Sequence, residues 1–193
     1  MLDVYKIRKD FPILGKKVNN TDLIYFDNAA TSQTPNQVID VISSYYKENN
    51  SNIHRGLHSL SADATNKYEN SRSIIKNHFG AAHDHEIIFT SGTTHGINII
   101  SSGLEKFISS KDELIVSEME HHSNIVPWQM LCEKTGSKLK VIPINDDGTL
   151  DMDEYKSLLT NQVKFVFINH VSNTLGIVTV SYTHLTLPTI LSV

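Results

Sequence analysis

Cysteine is almost missing: the 193 residues contain one, Cys132. A single thiol cannot close an internal disulfide framework, and such scarcity fits a reducing compartment. Long apolar runs are missing too. None reaches the roughly 20 residues that a membrane-spanning helix requires. There is no basic surplus: 17 Lys and Arg stand against 21 Asp and Glu, a net charge of −4. That balance argues against nucleic acid or an anionic membrane as the main partner. No block of like charges forms an interaction tail. The opening MLDVYKIRKDF scatters its charges and has no apolar centre, so it does not read as a secretory signal. No internal repeat is visible. What remains is a soluble, cytoplasmic globular protein, long enough for one domain with a real core, or most of one.

What is present is an alternation of short apolar runs and longer helical segments. Residues 23–26 read as a short strand. Thr34 and Pro35 make an N-cap and first-turn pair, opening a helix to about residue 49 with Val38, Ile42 and Tyr45 on one face. Residues 50–59 are loop, and 60–79 a polar helix closed by Gly80. Residues 86–89 read as a buried strand, 94–108 as a helix and 114–116 as a strand. A helix over 125–135 stops at Gly136, and a strand follows over 138–144. Asp147 and Gly148 turn the chain, Asp151 caps a helix to about residue 159, and 164–168 is a strand. This order predicts an α/β protein with a mainly parallel, doubly wound sheet. Ligands of such sheets bind beyond the C-terminal ends of the strands. The segments to inspect are therefore those after Phe26, Phe89, Val116 and Ile168.

The first is DNAAT, where Ala29 and Ala30 let a ligand approach the backbone, or simply make a turn. The second is TSGTTHGIN. A strand, a glycine, Thr93 and Thr94 lead into a helix, and free N–H groups beside hydroxyls suit an anion such as phosphate. It is neither a Walker A loop nor a dinucleotide fingerprint, and Ser and Thr also favour such positions as caps. The third is EMEHHSNIVPW. His121 and His122 are adjacent, so their side chains diverge, and no His or Cys partner at ligand spacing accompanies them, which disfavours metal. His121 is then a structural histidine or a ring lying flat over a planar cofactor. The fourth is NHVSNTLG, where Asn173 either hydrogen-bonds a ring substituent or belongs to a capping turn.

Off the strands lies HRGLHSLSADAT, with His54 and His58 four residues apart. Gly56 weakens a helix there and Arg55 repels a cation, so an exposed anion-binding loop is the better reading. His83 and His85 look like a solvated loop. Pyridoxal phosphate suits all four strand ends together. It brings a phosphate for Thr93 and Thr94, a flat ring for His121 and a ring oxygen for Asn173.

YFDNAAT, NIHRGLHSLSADAT, GTTHGIN, MEHHSNIVPWQMLC, IPINDDGTLD and HVSNTLG resemble the cysteine desulfurases of class V aminotransferase type, sulfur-mobilisation (SufS-like) branch. The resemblance runs from about residue 10 to residue 176. It implies a fold-type I pyridoxal phosphate enzyme, a homodimer, converting L-cysteine to alanine and an enzyme-bound persulfide for iron–sulfur cluster assembly. A sulfur-acceptor protein is an implied partner. By the same resemblance, Thr93 and Thr94 contact the phosphate, and His121 stacks on the ring and relays protons. Asn173 bonds the ring hydroxyl. Ala29 and Ala30 line the substrate pocket, with His54 and Arg55 near it.

Two departures matter. His95 stands where relatives often carry Glu. The family's D-x-A-Q aspartate, S-x-H-K lysine, acceptor cysteine and substrate arginine have no counterpart here, and Cys132 matches a non-catalytic helix position. The expectation is about half a protomer, unable to turn over cysteine: residues 1–22 as a leading segment, 23–179 as a partial large domain, and 180–193 as a non-native tail. That tail, VSYTHLTLPTILSV, reads as a translated adapter or as a divergent strand. A selenocysteine lyase shares these motifs, and a truncated non-catalytic dimerisation module is the reading from another class.

Overall fold

A computed structural model describes residues 2–179; the expected tail over 180–193 lies outside the described residues. The chain divides into two units, Met1–Phe89 and Thr90–Val193.

In the first unit, Asp3 caps α1 (Val4–Arg8) by accepting from the Lys6 N–H. A hairpin of β1 (Lys17–Val18) and β2 (Thr21–Asp22) turns through Asn19 and Asn20, both left-handed, a conformation Asn tolerates. Helix α2 (Asn36–Ser44) continues as a π turn over Tyr45–Asn49. Its N-cap is Pro35 rather than Thr34, because Pro35 stays extended and Asn36 takes the first helical place. The long α3 (Ser59–Phe79) is capped by His58, whose Nδ1 accepts from Ser61, and stops at left-handed Gly80 as expected.

Two expected strands do not form. Residues 23–26 and 86–89 are outside every strand, and Phe26 is 92 % exposed and Ile88 72 %. A strand exists only when its backbone groups find a ladder partner. Among the described residues 86–89 has none, and 23–26 has only the Leu23 N–H donated to the Lys16 carbonyl at 3.1 Å. The Ile87 carbonyl instead accepts from the Arg72 guanidinium of α3. That guanidinium also lies 5.1 Å from the Tyr68 and Phe89 ring centres.

The second unit alternates helix and strand: α4 (Thr93–Leu104), β3 (Glu113–Ser117), α5 (Val126–Thr135), β4 (Lys138–Ile142), α6 (Met152–Leu158) and β5 (Val163–Phe167). The strands form a parallel sheet in the order β4–β3–β5, with β3 central and buried along its length. Each boundary lies within a few residues of its expectation, because each carries a local signal. Asp151 accepts from Asp153 and Glu154 to start α6, and left-handed Gly136 ends α5.

Alternation along β3 divides the core. Leu114 and Val116 face α4 and α5, packing with Ile97, Trp128, Leu131, Cys132 and Phe167. Ile115 faces the other way, toward Ile142, Leu150 and Tyr155 of the α6 side. Each such aliphatic side chain contributes about 1.5–3 kcal/mol by leaving water. Helices on both faces of a parallel sheet are the α/β architecture the alternation predicted.

Candidate active site

Because the three strands are parallel, their C-terminal ends lie along one edge of the sheet. The turn after β3 begins with two carboxylates that do different structural work. Glu118 donates its N–H to the Ile142 carbonyl at 2.9 Å, and its Oε2 accepts from the Ile144 N–H at 3.1 Å, fastening the turn to the end of β4.

Glu120 points inward and is 8 % exposed. Its Oε1 accepts from the Ser117 hydroxyl at 2.5 Å and from the Asn169 N–H at 2.8 Å. Its Oε2 accepts from Asn124 Nδ2 at 2.7 Å. Asn124 Oδ1 in turn accepts from Trp128 Nε1 at 2.9 Å. The indole stacks on Phe167, with ring centres 3.6 Å apart and planes 6° apart. A buried chain of hydrogen bonds thus joins the exit of β3, the start of α5 and the exit of β5.

With Glu120 turned in, His121 is turned out and exposed. Its Nδ1 accepts from the Ser123 N–H at 3.1 Å, with the Ser123 hydroxyl at 2.9 Å. A backbone N–H can only donate, so the neutral ring carries its proton on Nε2. The His122 ring stands edge-on to that of His121, with planes 85° apart and ring centres 6.2 Å apart. No group of three or more His, Cys, Asp or Glu side chains arranged to hold a metal occurs among the described residues.

The exit of β5 is tied to the same chain. Asn169 donates Nδ2 to the Met119 carbonyl at 3.4 Å and accepts from the Thr179 hydroxyl at 3.1 Å. Beyond it, Val171 and Val178 bridge, and buried Ser172 accepts from the Leu175 and Gly176 N–H groups. Asn173 sits exposed in the turn they close.

Thr93 and Thr94 form the exposed first turn of α4. Gly92 precedes them at φ 131°, a conformation open to glycine, and no side chain caps this terminus. Its unpaired N–H groups and two hydroxyls are donors suited to an anion. His95 folds back so that Nδ1 accepts from the Ser91 N–H at 3.2 Å. The helix is docked on the start of α5, where the Ser101 hydroxyl donates to the Pro127 carbonyl at 3.1 Å.

Thr93, Thr94, His121 and Asn173 therefore share the second unit. The other candidates lie in the first. Ala29 and Ala30 are exposed in a turn that Tyr25 closes by donating to the Asp27 and Thr31 carbonyls. His54 has φ 65°, donates its N–H to Thr65 Oγ1 at 3.0 Å, and places Nε2 3.2 Å from Glu69 Oε1. Arg55, beside it, is exposed. Ser61 holds this loop against α3, accepting from the Gly56 N–H and donating to the Asn52 carbonyl; a Cβ at Gly56 would meet Ser61 at 2.5 Å. His54 and His58 do not converge: one ring meets Glu69, the other caps α3.

Cys132 lies in the core on α5, and burial pushes its thiol up from the ordinary range. A thiol so placed is a packing group, not a nucleophile. The residues that sequence reading missed are Ser117, Glu120, Asn124, Trp128 and Asn169. They lie on a strand end, a turn, a helix and the exit of another strand, so no single period in the sequence groups them.

The class-V aminotransferase family model matches residues 24–183. The chain belongs to that family, whose members are in general pyridoxal phosphate enzymes. It is 50 % identical over 175 residues to a Staphylococcus epidermidis protein described as "probable cysteine desulfurase", a match covering 90 % of this chain and 42 % of that protein. It is 44 % identical over 178 residues to the cysteine desulfurase of Synechococcus elongatus, covering 92 % of this chain and 28 % of that one. The apo structure of the Thermococcus onnurineus cysteine desulfurase superposes with a TM-score of 0.83 at 38 % identity, covering 93 % of this chain and 43 % of that one. The chain thus spans less than half the length of these relatives.

Proposed function

We propose that this chain is part of a pyridoxal phosphate-dependent cysteine desulfurase acting on L-cysteine in the cytoplasm. The observation that carries the reading is the donor set on the second unit. It comprises an uncapped α4 terminus with two exposed threonine hydroxyls, an exposed His121 ring and an exposed Asn173 amide. This set suits the group's phosphate, its ring face and its ring hydroxyl in turn.

When bound, the cofactor supplies an electron sink for negative charge at the substrate's α-carbon. The chain's own residues do the rest. Thr93 and Thr94 hold the phosphate by hydroxyls and backbone N–H groups. Asn173 donates to the ring oxygen. His121, with its proton on Nε2, holds or passes a proton while Ser123 steadies Nδ1. For the substrate we propose Ala29, Ala30, His54 and Arg55 of the first unit, on the family resemblance.

The partners of the whole protein are a second copy and a sulfur acceptor serving iron–sulfur cluster assembly. The chain itself lacks the family's imine-forming lysine motif, and its only thiol is buried, so we expect no turnover. The test is titration with pyridoxine 5′-phosphate, which has the ring and phosphate without the reactive aldehyde. Thr94→Val and His121→Ala should each weaken binding about tenfold, near 1.4 kcal/mol. Affinity indifferent to both variants would sink the site reading. Sulfide released from L-cysteine by this chain would sink the expectation of inactivity.

A further inference from the structure

We propose that buried Glu120 is a positioning residue, which sets where His121 and the turn carrying Asn173 stand. This rests on the site reading above for its purpose, though not for its geometry. Glu120 immediately precedes His121, and its carboxylate touches both strand exits and the start of α5. Oε1 takes donors from Ser117, the last residue of β3, and from the Asn169 N–H, just past β5. Oε2 takes the Asn124 amide, which in turn holds Trp128.

With Glu120 held inward, the next side chain must face out, since successive residues of extended chain point to opposite sides. His121 is indeed extended, at φ −65° and ψ 147°, with its ring outside. The Asn169 bond does the same for the other exit. The carboxylate itself is 8 % exposed, so water competes little for its oxygens. The three bonds therefore specify one arrangement rather than a family of them.

The polarity of the chain gives a sharp test. In Glu120→Gln, the oxygen can stay with Ser117 and Asn169, but the new NH₂ then faces the Asn124 NH₂, donor against donor. Turning Asn124 over would repair that contact and break the bond to Trp128. In Glu120→Gln with Asn124→Asp, every bond is restored with its direction reversed at one link. The amide NH₂ introduced at position 120 donates to one oxygen of the carboxylate introduced at position 124. The other oxygen accepts from Trp128, and the net charge is unchanged. Trp128 is the only tryptophan in the chain, so its indole N–H gives a single, unambiguous NMR signal.

The experiment compares parent, E120Q, N124D and E120Q/N124D by nitrogen–proton NMR of the Trp128 indole, the Asn169 amide and the His121 ring. Pyridoxine 5′-phosphate titration and a thermal melt accompany it. We expect E120Q to move all three signals and weaken pyridoxine 5′-phosphate binding about tenfold, as loss of a hydrogen bond to a charged group implies. N124D alone should do the same, because it sets two carboxylates face to face. The double variant should return the signals and the affinity to near those of the parent. A lower melting temperature for E120Q with the His121 and Asn169 signals unmoved would make Glu120 a stability residue only and overturn the proposal. A double variant that fails to fold, or folds without recovering the indole signal, would overturn it as well. If no variant, parent included, binds pyridoxine 5′-phosphate while the His121 and Asn169 signals still move and recover, the positioning role stands and the cofactor reading falls.

Discussion

Replacing Trp128 by phenylalanine tests whether the buried hydrogen-bond chain is a real part of the second unit. Phenylalanine keeps an aromatic face against Phe167 but removes Nε1, the donor to Asn124 Oδ1. Asn124 is buried, so water cannot easily replace that donor. An orphaned buried acceptor costs about 1–3 kcal/mol. The smaller ring, at a position with no solvent exposure, loses about 1 kcal/mol more of burial. The expected loss is therefore about 2–4 kcal/mol. The assay is hydrogen exchange at the Ile115 amide in central β3, with urea unfolding followed by circular dichroism, since the variant has no tryptophan to report. In an Asn124→Ala background the acceptor is already gone. There W128F should cost only the ring term, a coupling of about 1–3 kcal/mol. A W128F loss under about 0.5 kcal/mol, or strictly additive variants, would refute the reasoning.

Two further outcomes follow from single groups. The buried Tyr155 hydroxyl has no hydrogen-bond partner among the described residues, so Tyr155→Phe should be neutral or stabilising by up to about 1 kcal/mol in urea unfolding; a clear loss would mean that the hydroxyl is satisfied. The Lys140 ammonium, 2.8 Å away, and the Thr160 hydroxyl hold the Glu113 carboxyl below the ordinary carboxylate range. A depressed acid pKa contributes stability that is fully present above the unfolded value, about 4.3, and is lost as pH falls through the folded one. Glu113→Gln should therefore flatten the fall in urea midpoint below that pH; an unchanged acid limb would show the pair to be unimportant.

Much of the second unit is legible from neighbouring residues alone. The caps at Asp151 and Gly136 act through one or two adjacent bonds, so their sequence signals are local. That a turn carrying His121 and His122 follows β3 is equally local. The carboxylates of the same turn could not be apportioned that way. Glu118 and Glu120 look alike in sequence, yet one fastens a turn to β4 and the other binds a residue beyond β5. His54 Nε2 lies 3.2 Å from Glu69 Oε1, a partner that the sequence around His54 does not announce.

By itself the sequence determined the alternation of helix and strand, the ends of most elements, and the motifs that mark a class-V aminotransferase. All of these depend on residues within a turn or two of one another. Tertiary structure decided which apolar runs became strands. Residues 113–117 found partners on both sides, while among the described residues 86–89 found none and 23–26 only the Leu23 bond to Lys16. It also decided that Glu120 turns inward and that Trp128 meets Phe167. Ladder partners, buried acceptors and stacked rings come from distant parts of the chain, and no local pattern specifies which distant group will arrive.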